Sequence, residues 1–416
     1  MKFVGVIEGF YGRPWREDQR GRLFRLMAEW GMNTYLYAPK DDLKHRAHWR
    51  EAYVADEGAM LARLARGAES VGVRFVYALA PGLDLDWRAE HDREALFAKL
   101  RHVRDLGVQH FALLFDDIPY AADRARQAAE QADATNASLQ FLRDLGFDGA
   151  MLFCPTEYCA RRAAPDVATS PYLRVIGERL HPDVDVFWTG PEVISVEITA
   201  ASVREVAGVL RRPPVLWDNL HANDYAPRRA HLGPYAGREA ALRAEVAGIL
   251  SNPNNQFELN FPGLHSLAEY ARSDAWSAEA SLERALDAWL EHLASPNLTR
   301  DDLAMLAHAL HLPHALGPRA SAVHEGARSL IAEPSASNAE IVKGGRDAFR
   351  RVLRALEHGA QRDLLYDLHP FLTDAIEELG RPLRRTGYLH PAEPNGIRFQ
   401  GALTERLAWD EAATTR

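Results

Sequence analysis

Two aspartates stand side by side where an apolar run stops: Phe111-Ala112-Leu113-Leu114-Phe115 leads into Asp116-Asp117-Ile118. Neighbouring carboxylates against an apolar wall do not both ionise freely, so their pKa values are expected to split. A proton-bearing acid beside a carboxylate is the equipment of glycoside hydrolysis. The same pair could also cap a helix or hold a metal, because a strand-end aspartate commonly caps the helix that follows. The dipeptide alone leaves these readings open.

Other runs end in comparable clusters. Glu8-Gly9-Phe10-Tyr11-Gly12-Arg13-Pro14-Trp15 brackets aromatics with glycines, which suits backbone approach to a ligand or a tight turn over core rings. Lys40, after Pro39, could reach a sugar hydroxyl or form a surface ion pair of little worth. In Cys154-Pro155-Thr156-Glu157-Tyr158-Cys159 the cysteine spacing fits neither a redox pair nor a common zinc site, so packing is the favoured reading for both thiols. Tyr158 either aims its phenol at a site or packs in the core. Trp217-Asp218-Asn219-Leu220-His221-Ala222-Asn223-Asp224-Tyr225 sets amides and carboxylates beside an indole. Sugars ask for that mixture, although a capped turn would look similar. His221 with Asp224 could hold a metal, but no second histidine lies nearby at ligand spacing. Glu258-Leu259-Asn260 offers one more amide. There is no P-loop, no GxGxxG opening a helix after a strand, and no GxSxG elbow, so nothing supports nucleotide or dinucleotide use.

The elements that must position these residues follow one rhythm. β-rich runs over Phe3–Gly9, Asn33–Ala38, Arg74–Pro81, His110–Asp117, Ala150–Tyr158, Val184–Gly190, Pro214–Asn219 and Gln256–Asn260 end about 29 to 43 positions apart, the span of one βα unit. Amphipathic stretches over Glu17–Glu29, Met60–Ser70, Ala89–Leu106 and Ser202–Leu210 lie between them. Eight repeats with polar clusters at the strand ends predict a (β/α)8 TIM barrel over residues 1–265, in preference to an open doubly wound sheet. Beyond 265 the β-runs stop. Helices are expected over Ala280–Leu293, Arg300–His311, Ser337–His358 and Gln361–Leu379, with a loop around Ile331–Ala336. Ser337 and Glu340 have capping-box spacing, and Pro370 should kink or break the last helix. These form a predicted α-helical bundle over 266–382, followed by an irregular tail over 383–416.

Composition narrows the function. The chain has 416 residues, 47% of them apolar, which allows a sizeable core. No run of about 18 apolar residues is present, so no membrane span is expected. Its 49 basic and 58 acidic side chains give a net charge of −9, which argues against a nucleic-acid partner. Two cysteines do not make a disulfide framework and point to a reducing compartment. Met1-Lys2 leads directly into Phe3-Val4-Gly5-Val6-Ile7, which Glu8 cuts short. That is a first strand and not a secretory signal, so the expected location is the cytoplasm.

With Gly5-Val6-Ile7-Glu8-Gly9-Phe10-Tyr11-Gly12-Arg13-Pro14-Trp15, Tyr37-Ala38-Pro39-Lys40-Asp41-Asp42 and Phe115-Asp116-Asp117-Ile118, the chain resembles glycoside hydrolase family 84, the O-GlcNAcases and related bacterial β-N-acetylglucosaminidases. Phe153–Cys159, Trp188-Thr189-Gly190-Pro191-Glu192, Trp217–Tyr225 and Asn252-Pro253-Asn254 leading to Phe257-Glu258-Leu259-Asn260 are similar to it too. The likeness covers residues 3 to about 265 in order. It implies a retaining exo-acting enzyme in which the substrate's own 2-acetamido oxygen attacks the anomeric carbon, giving an oxazoline. By the same resemblance Asp116 would orient and stabilise the acetamido group, and Asp117 would act as acid and then base. Tyr158, Cys154 and Trp217 would wall the acetamido pocket. Gly9, Lys40, Asn219, Asp224 and Asn260 would hold the hydroxyls and ring, with Tyr11 packed near. Pro119, directly after the acid pair, could alter the next loop.

No cofactor and no metal are implied. The expected substrate is a protein or glycan bearing terminal GlcNAc; hyaluronan fits an acidic protein poorly, although Arg13, Arg161 and Arg162 offer some basic surface. A homodimer through the helical region is a further partner this reading allows, and a compact bacterial form is expected. The competing readings are a non-catalytic sugar-binding protein on the same fold, which would tolerate a damaged acid pair, and a metal-dependent barrel hydrolase, which ligand spacing disfavours.

Overall fold

In a parallel barrel both faces of each strand are covered, so a strand reads as a continuous apolar run. The computed structural model describes residues 1–389, and it forms such a barrel from β1 (Phe3–Glu8), β2 (Thr34–Tyr37), β3 (Arg74–Leu79), β4 (His110–Leu114), β5 (Met151–Cys154), β6 (Val184–Trp188), β7 (Val215–Asp218) and β8 (Gly248–Ser251). The strands pair in sequence order, and β8 closes on β1 with Phe3 opposite Gly248. Crossover helices are α1 (Glu17–Glu29), α2 (Ala55–Glu69), α3 (Glu90–Asp105), α4 (Arg124–Asp144), α5 (Pro171–Arg179) and α6 (Ala200–Leu210). Between β7 and β8 the only regular piece is a 3₁₀ turn, Ala240–Ala244. No helix of the described residues is long and apolar enough to cross a membrane.

Strand side chains alternate between the two faces. Phe3, Ile7, Leu36, Ala38, Val76, Ala78, Ala112, Leu114, Leu152, Cys154, Phe187, Val215, Trp217 and Leu250 form one buried cluster inside the barrel. The other parity packs under the helices, as where Phe24 of α1 meets Tyr35 edge-on at 5.0 Å. This alternation sorts the polar strand ends. Glu8 and Asp218 carry the outward parity and are buried in structural ion pairs. Glu8 takes the Arg20 guanidinium at 2.7 and 2.8 Å, the Trp15 N–H at 3.0 Å and the Tyr35 hydroxyl. Asp218 takes Arg238 at 2.6 and 2.8 Å and the Tyr235 hydroxyl at 2.7 Å. Breaking one partner of such a pair costs about 3–5 kcal/mol. The inward parity, continued past each strand end, reaches Gly9, Lys40, Asp116, Thr189, Asn219 and Asn252.

The eighth strand is not where the apolar pattern put it. It is Gly248–Ser251, whereas Phe257–Asn260 forms a 3₁₀ turn entering α7 (Phe261–Arg272). Pro253 interrupts the ladder between the two pieces, and Pro262 sits in the first turn of α7, where a missing N–H is tolerated.

The chain divides into two compact units, the first of Met1–Ala285 with Leu312–His314, the second of Leu286–His311 with the residues from Ala315 onward. The expected boundary at 265 falls inside α7. The remaining helices are α8 (Ala278–Leu293), α9 (Arg300–Ala309), α10 (Pro318–Ala332), α11 (Ala336–Glu357) and α12 (Arg362–Arg385). α10 escapes the apolar pattern because its buried residues are largely small: Ala320, Val323, Gly326 and Leu330. α11 is capped by Ser335, whose hydroxyl accepts from the Asn338 N–H at 3.2 Å, and not by Ser337. α12 continues through Pro370 and Pro382; the face carrying Leu364, Leu365, Leu368, Phe371, Leu372 and Ile376 is buried, and packing overrides the local preference. The expected tail over 383–416 begins inside α12, and from residue 390 it lies outside the described residues.

Candidate active site

The residues at the C-terminal ends of the strands enclose a cavity of about 320 Å³. Ligand sites of (β/α)8 barrels lie on this face. The inward parity supplies its floor, and the βα loops supply Tyr11, Asp117, Tyr158, Arg162, Val193, Ile194, Ala222, Asp224 and Tyr225.

Asp116 follows Ala112 and Leu114 inward. Its Oδ2 lies 2.5 Å from Lys40 Nζ, with the two side chains only 8% and 2% exposed. Its Oδ1 is buried and has no hydrogen-bond partner among the described residues. Arg46 donates to the main-chain oxygens of Asp116 at 3.3 Å and Asp117 at 3.2 Å, which clamps the turn after β4. Burial alone would push the Asp116 carboxyl up, but the Lys40 ammonium and the Arg46 guanidinium outweigh it and hold it below the usual carboxylate range. Asp116 is therefore an anion whose charge is fixed by Lys40.

Asp117 has a different setting. Its backbone is left-handed, with φ 53°, which aspartate tolerates better than most residues. Its carboxylate accepts from the Tyr158 hydroxyl at 2.7 Å, the Tyr11 hydroxyl at 3.3 Å and the Arg162 guanidinium at 3.3 Å. Its side chain is 32% exposed, so water and a leaving group reach it. Burial, aided by the Asp117 charge, pushes the Tyr158 phenol up; burial pushes Tyr11 up to about 12. Both phenols stay protonated donors.

The apolar wall is Trp217, held edge-on by Phe187 with ring centroids 5.6 Å apart. Gly9 lies against it: a Cβ there would sit 2.3 Å from Trp217 Cζ2. Burial pushes the Cys154 thiol well up, so it is a neutral wall group and not a nucleophile. On the same inward parity, Asn219 donates to Val193 O at 2.7 Å and accepts from Asn252 at 2.9 Å, and Asn252 accepts from the Gly9 N–H at 3.4 Å. Asp224 accepts from the main-chain N–H groups of Tyr11 and Tyr225, each at 3.0 Å.

Ten of the expected site residues thus line one cavity: Gly9, Tyr11, Lys40, Asp116, Asp117, Cys154, Tyr158, Trp217, Asn219 and Asp224. Asn260 does not. Its amide is spent on the turn before α7, accepting from Asn254 N–H at 2.8 Å and donating to Asn254 O at 3.0 Å. The mouth position expected of it is taken by Asn252, two residues past the inward Leu250 of the true β8. Thr189, likewise two past Phe187, was also overlooked; strand parity would have found both. Arg162 was noted only as basic surface, and its contact with Asp117 depends on how two loops meet. His221 is occupied elsewhere, its Nε2 2.9 Å from Gly233 O, and burial pushes it down to about 4.

Comparison with known proteins agrees with this geometry. A family model described as β-N-acetylglucosaminidase matches residues 4–308. The protein O-GlcNAcases of Mus musculus and Rattus norvegicus are each 47% identical over 276 residues, covering 65% of this chain and 30% of the relative. The chain thus spans about 30% of the length of these curated relatives. A solved O-GlcNAc hydrolase mutant of Thermobaculum terrenum superposes with a TM-score of 0.82 at 28% identity, covering 100% of this chain and 89% of that one. The chain belongs to the β-N-acetylglucosaminidase family, glycoside hydrolase family 84.

Proposed function

We propose that this chain is a retaining exo-β-N-acetylglucosaminidase that removes terminal β-linked GlcNAc, from Ser or Thr of proteins or from the end of a glycan, by substrate-assisted catalysis. One observation carries the reading: Asp116 is a buried carboxylate charged by Lys40, with Oδ1 left without a donor in the cavity wall. A buried acceptor without a partner costs about 1–3 kcal/mol. An acetamido N–H docked in the cavity relieves that cost and turns the acetamido oxygen toward the anomeric carbon.

In the first step that oxygen attacks the anomeric carbon. The bond to the leaving oxygen breaks, and Asp117 gives the leaving oxygen its proton. Asp116 stabilises the positive oxazoline as it forms. In the second step Asp117 takes a proton from water, which opens the ring at the same carbon, so two inversions give net retention. Tethering the nucleophile to the reacting sugar removes most of the entropic cost of attack. Trp217 offers the sugar a flat apolar face, and Asn219, Asn252 and Asp224 offer hydroxyl partners. A cavity of about 320 Å³ supports a single terminal sugar.

The mouse and rat relatives support a protein-borne substrate. A bacterial, cytoplasmic setting belongs to the same reading, supported by the free thiols of Cys154 and Cys159 and by the Thermobaculum neighbour. A homodimer through the helical unit is supported by exposed Ile331, Ile341 and Tyr366, and light scattering on the purified chain tests it.

The deciding experiment is release of 4-nitrophenol from its β-N-acetylglucosaminide with chelator present, with proton NMR of the first sugar formed. Turnover with the β-anomer first, largely lost in Asp116→Asn, is expected. Undiminished turnover in Asp116→Asn, or the α-anomer first, overturns the mechanism.

A further inference from the structure

Beside the sugar cavity lies a second one of about 720 Å³, sharing Arg162, Val193 and Ile194 with it and lined further by Tyr120, Arg124 and Arg161 among others. Resting on the reading above, we propose that this cavity is the aglycone site and that it takes the carboxylate or phosphate of an acidic residue next to the GlcNAc-bearing Ser or Thr of a peptide.

Its location follows from Asp117. A general acid faces the leaving oxygen, and Arg162, which joins the two cavities, donates to Asp117 Oδ1 at 3.3 Å. What is attached to the leaving oxygen therefore enters on the Arg162 side.

Its chemistry follows from a count of charges. Arg124 is neutralised by Glu157, which is fully buried. Arg161 lies 3.2 Å from Glu192, both well exposed. Arg162 has Asp117 as its carboxylate partner. In the productive complex Asp117 must carry the proton it will donate, and Arg162 then has no countercharge. The guanidinium is held over the Tyr158 ring at 4.6 Å and touches the Tyr120 hydroxyl at 3.5 Å, so it is positioned before any ligand arrives. Arginine presents donors in a fork that matches carboxylate and phosphate. With Arg124 and Arg161 balanced by Glu157 and Glu192, the rim's net positive charge is the Arg162 guanidinium that protonation of Asp117 releases. A peptide is favoured over a sugar because the cavity has more than twice the volume of the one that fits GlcNAc, and because Val193, Ile194 and the exposed Tyr120 ring add apolar contact for neighbouring side chains.

The test compares kcat/KM for two synthetic GlcNAc-Ser peptides at low salt, identical except that one has Asp and Glu beside the modified serine and the other has Asn and Gln. The acidic peptide is expected to win about three- to fivefold, the range for a partly exposed ion pair, and the advantage is expected to shrink as salt rises. In Arg162→Gln the ratio should fall to about one, and in Arg161→Gln it should fall part of the way. Each ratio is internal to one variant, so a change in the chemical step cancels. Equal rates for the two peptides on wild type, or an advantage that survives both substitutions, overturns the proposal. So does a carboxylate preference seen only between GlcNAc-glucuronic acid and GlcNAc-glucose disaccharides, which would make the cavity a glycan site. Absence of turnover on the aryl glycoside as well would instead be a failure of the underlying glycosidase reading.

Discussion

Lys40 Nζ lies 2.5 Å from one oxygen of Asp116, while the other oxygen of the same carboxylate is buried with no donor among the described residues. The two halves of this arrangement have different tasks. The ion pair keeps Asp116 charged in a site where burial would otherwise neutralise it, and the open oxygen is the part that a substrate amide can use. Breaking one side of a desolvated pair is costly, so the charge of Asp116 depends on a residue 76 positions away in sequence.

Replacing Lys40 by Met should therefore move the pH profile. Burial raises the Asp116 carboxyl and Lys40 is the largest of the groups that lower it. Without Lys40 the protonated form persists to higher pH. The acid limb of kcat/KM should shift upward by about 1–3 pH units, the usual effect of a close opposite charge. An acid limb that stays where it is in Lys40→Met would separate it from the ionisation of Asp116.

Asp117 is best tested with Asn. Its backbone has φ 53°, and asparagine tolerates that conformation, so Asp117→Asn removes the proton without adding backbone strain. General acid catalysis is worth about 10²–10⁴-fold. Loss of that order is expected for alkyl leaving groups and much less for activated phenols, which need little protonation. A plot of log kcat/KM against leaving-group pKa should steepen in the variant. Parallel plots for wild type and variant would remove Asp117 from the role of acid.

Most of this architecture was legible because strands covered on both faces are continuous apolar runs, and strands β1 to β7 read that way. The eighth did not: Gly248–Ser251 is four residues with only Ile249 and Leu250 strongly apolar. That single displacement carried the mouth amide from Asn252 to Asn260. The Asp116-Asp117 pair could be read directly, but its ionisation could not. Mutual repulsion was expected to govern the pair, whereas Asp116 is held low by Lys40 and Arg46, and Asp117 has Tyr158, Tyr11 and Arg162 as hydrogen-bond partners. Those contacts join different βα loops, and no local pattern encodes them. The helical unit was legible where its faces carry Leu and Phe and opaque in α10, where small residues pack.

Acid should destabilise the barrel unit through its histidines. Burial holds His45, His110 and His221 at about 4 and His231 at about 3. His110 Nδ1 accepts the Ala150 N–H at 3.0 Å, so a proton there would oppose a half-buried donor. Each group is neutral in the folded chain and titrates near 6.5 when unfolded. The unfolded state therefore binds more protons between about pH 6.5 and 4, and stability present above 6.5 is lost as pH falls through that window. Tm should fall steadily from pH 7 to 4.5, with net proton uptake on unfolding. A flat Tm from pH 7 to 5 would contradict the neutral, buried state of these rings.

Two glycines of the first strand and its end should fail in different ways. A Cβ on Gly5 would lie 1.8 Å from the main-chain oxygen of Thr34, and a backbone in a barrel ladder cannot yield. Gly5→Ala should not give a stable barrel. The three atoms nearest a Cβ on Gly9 all belong to the Trp217 ring, the first at 2.3 Å, and that ring borders the open cavity and can turn into it. Gly9→Ala should fold with a loss of about 1–3 kcal/mol, the ordinary cost of overpacking. Its Trp217 then occupies space meant for the sugar, so KM should rise and kcat/KM fall by about 10²-fold, since a misplacement near 1 Å is enough for that. Thermal melts and aryl-glycoside kinetics on the pair decide it: a folded Gly9→Ala with wild-type KM would take Trp217 out of the pocket wall, and an unfolded one would show that the cavity has no room to absorb the ring.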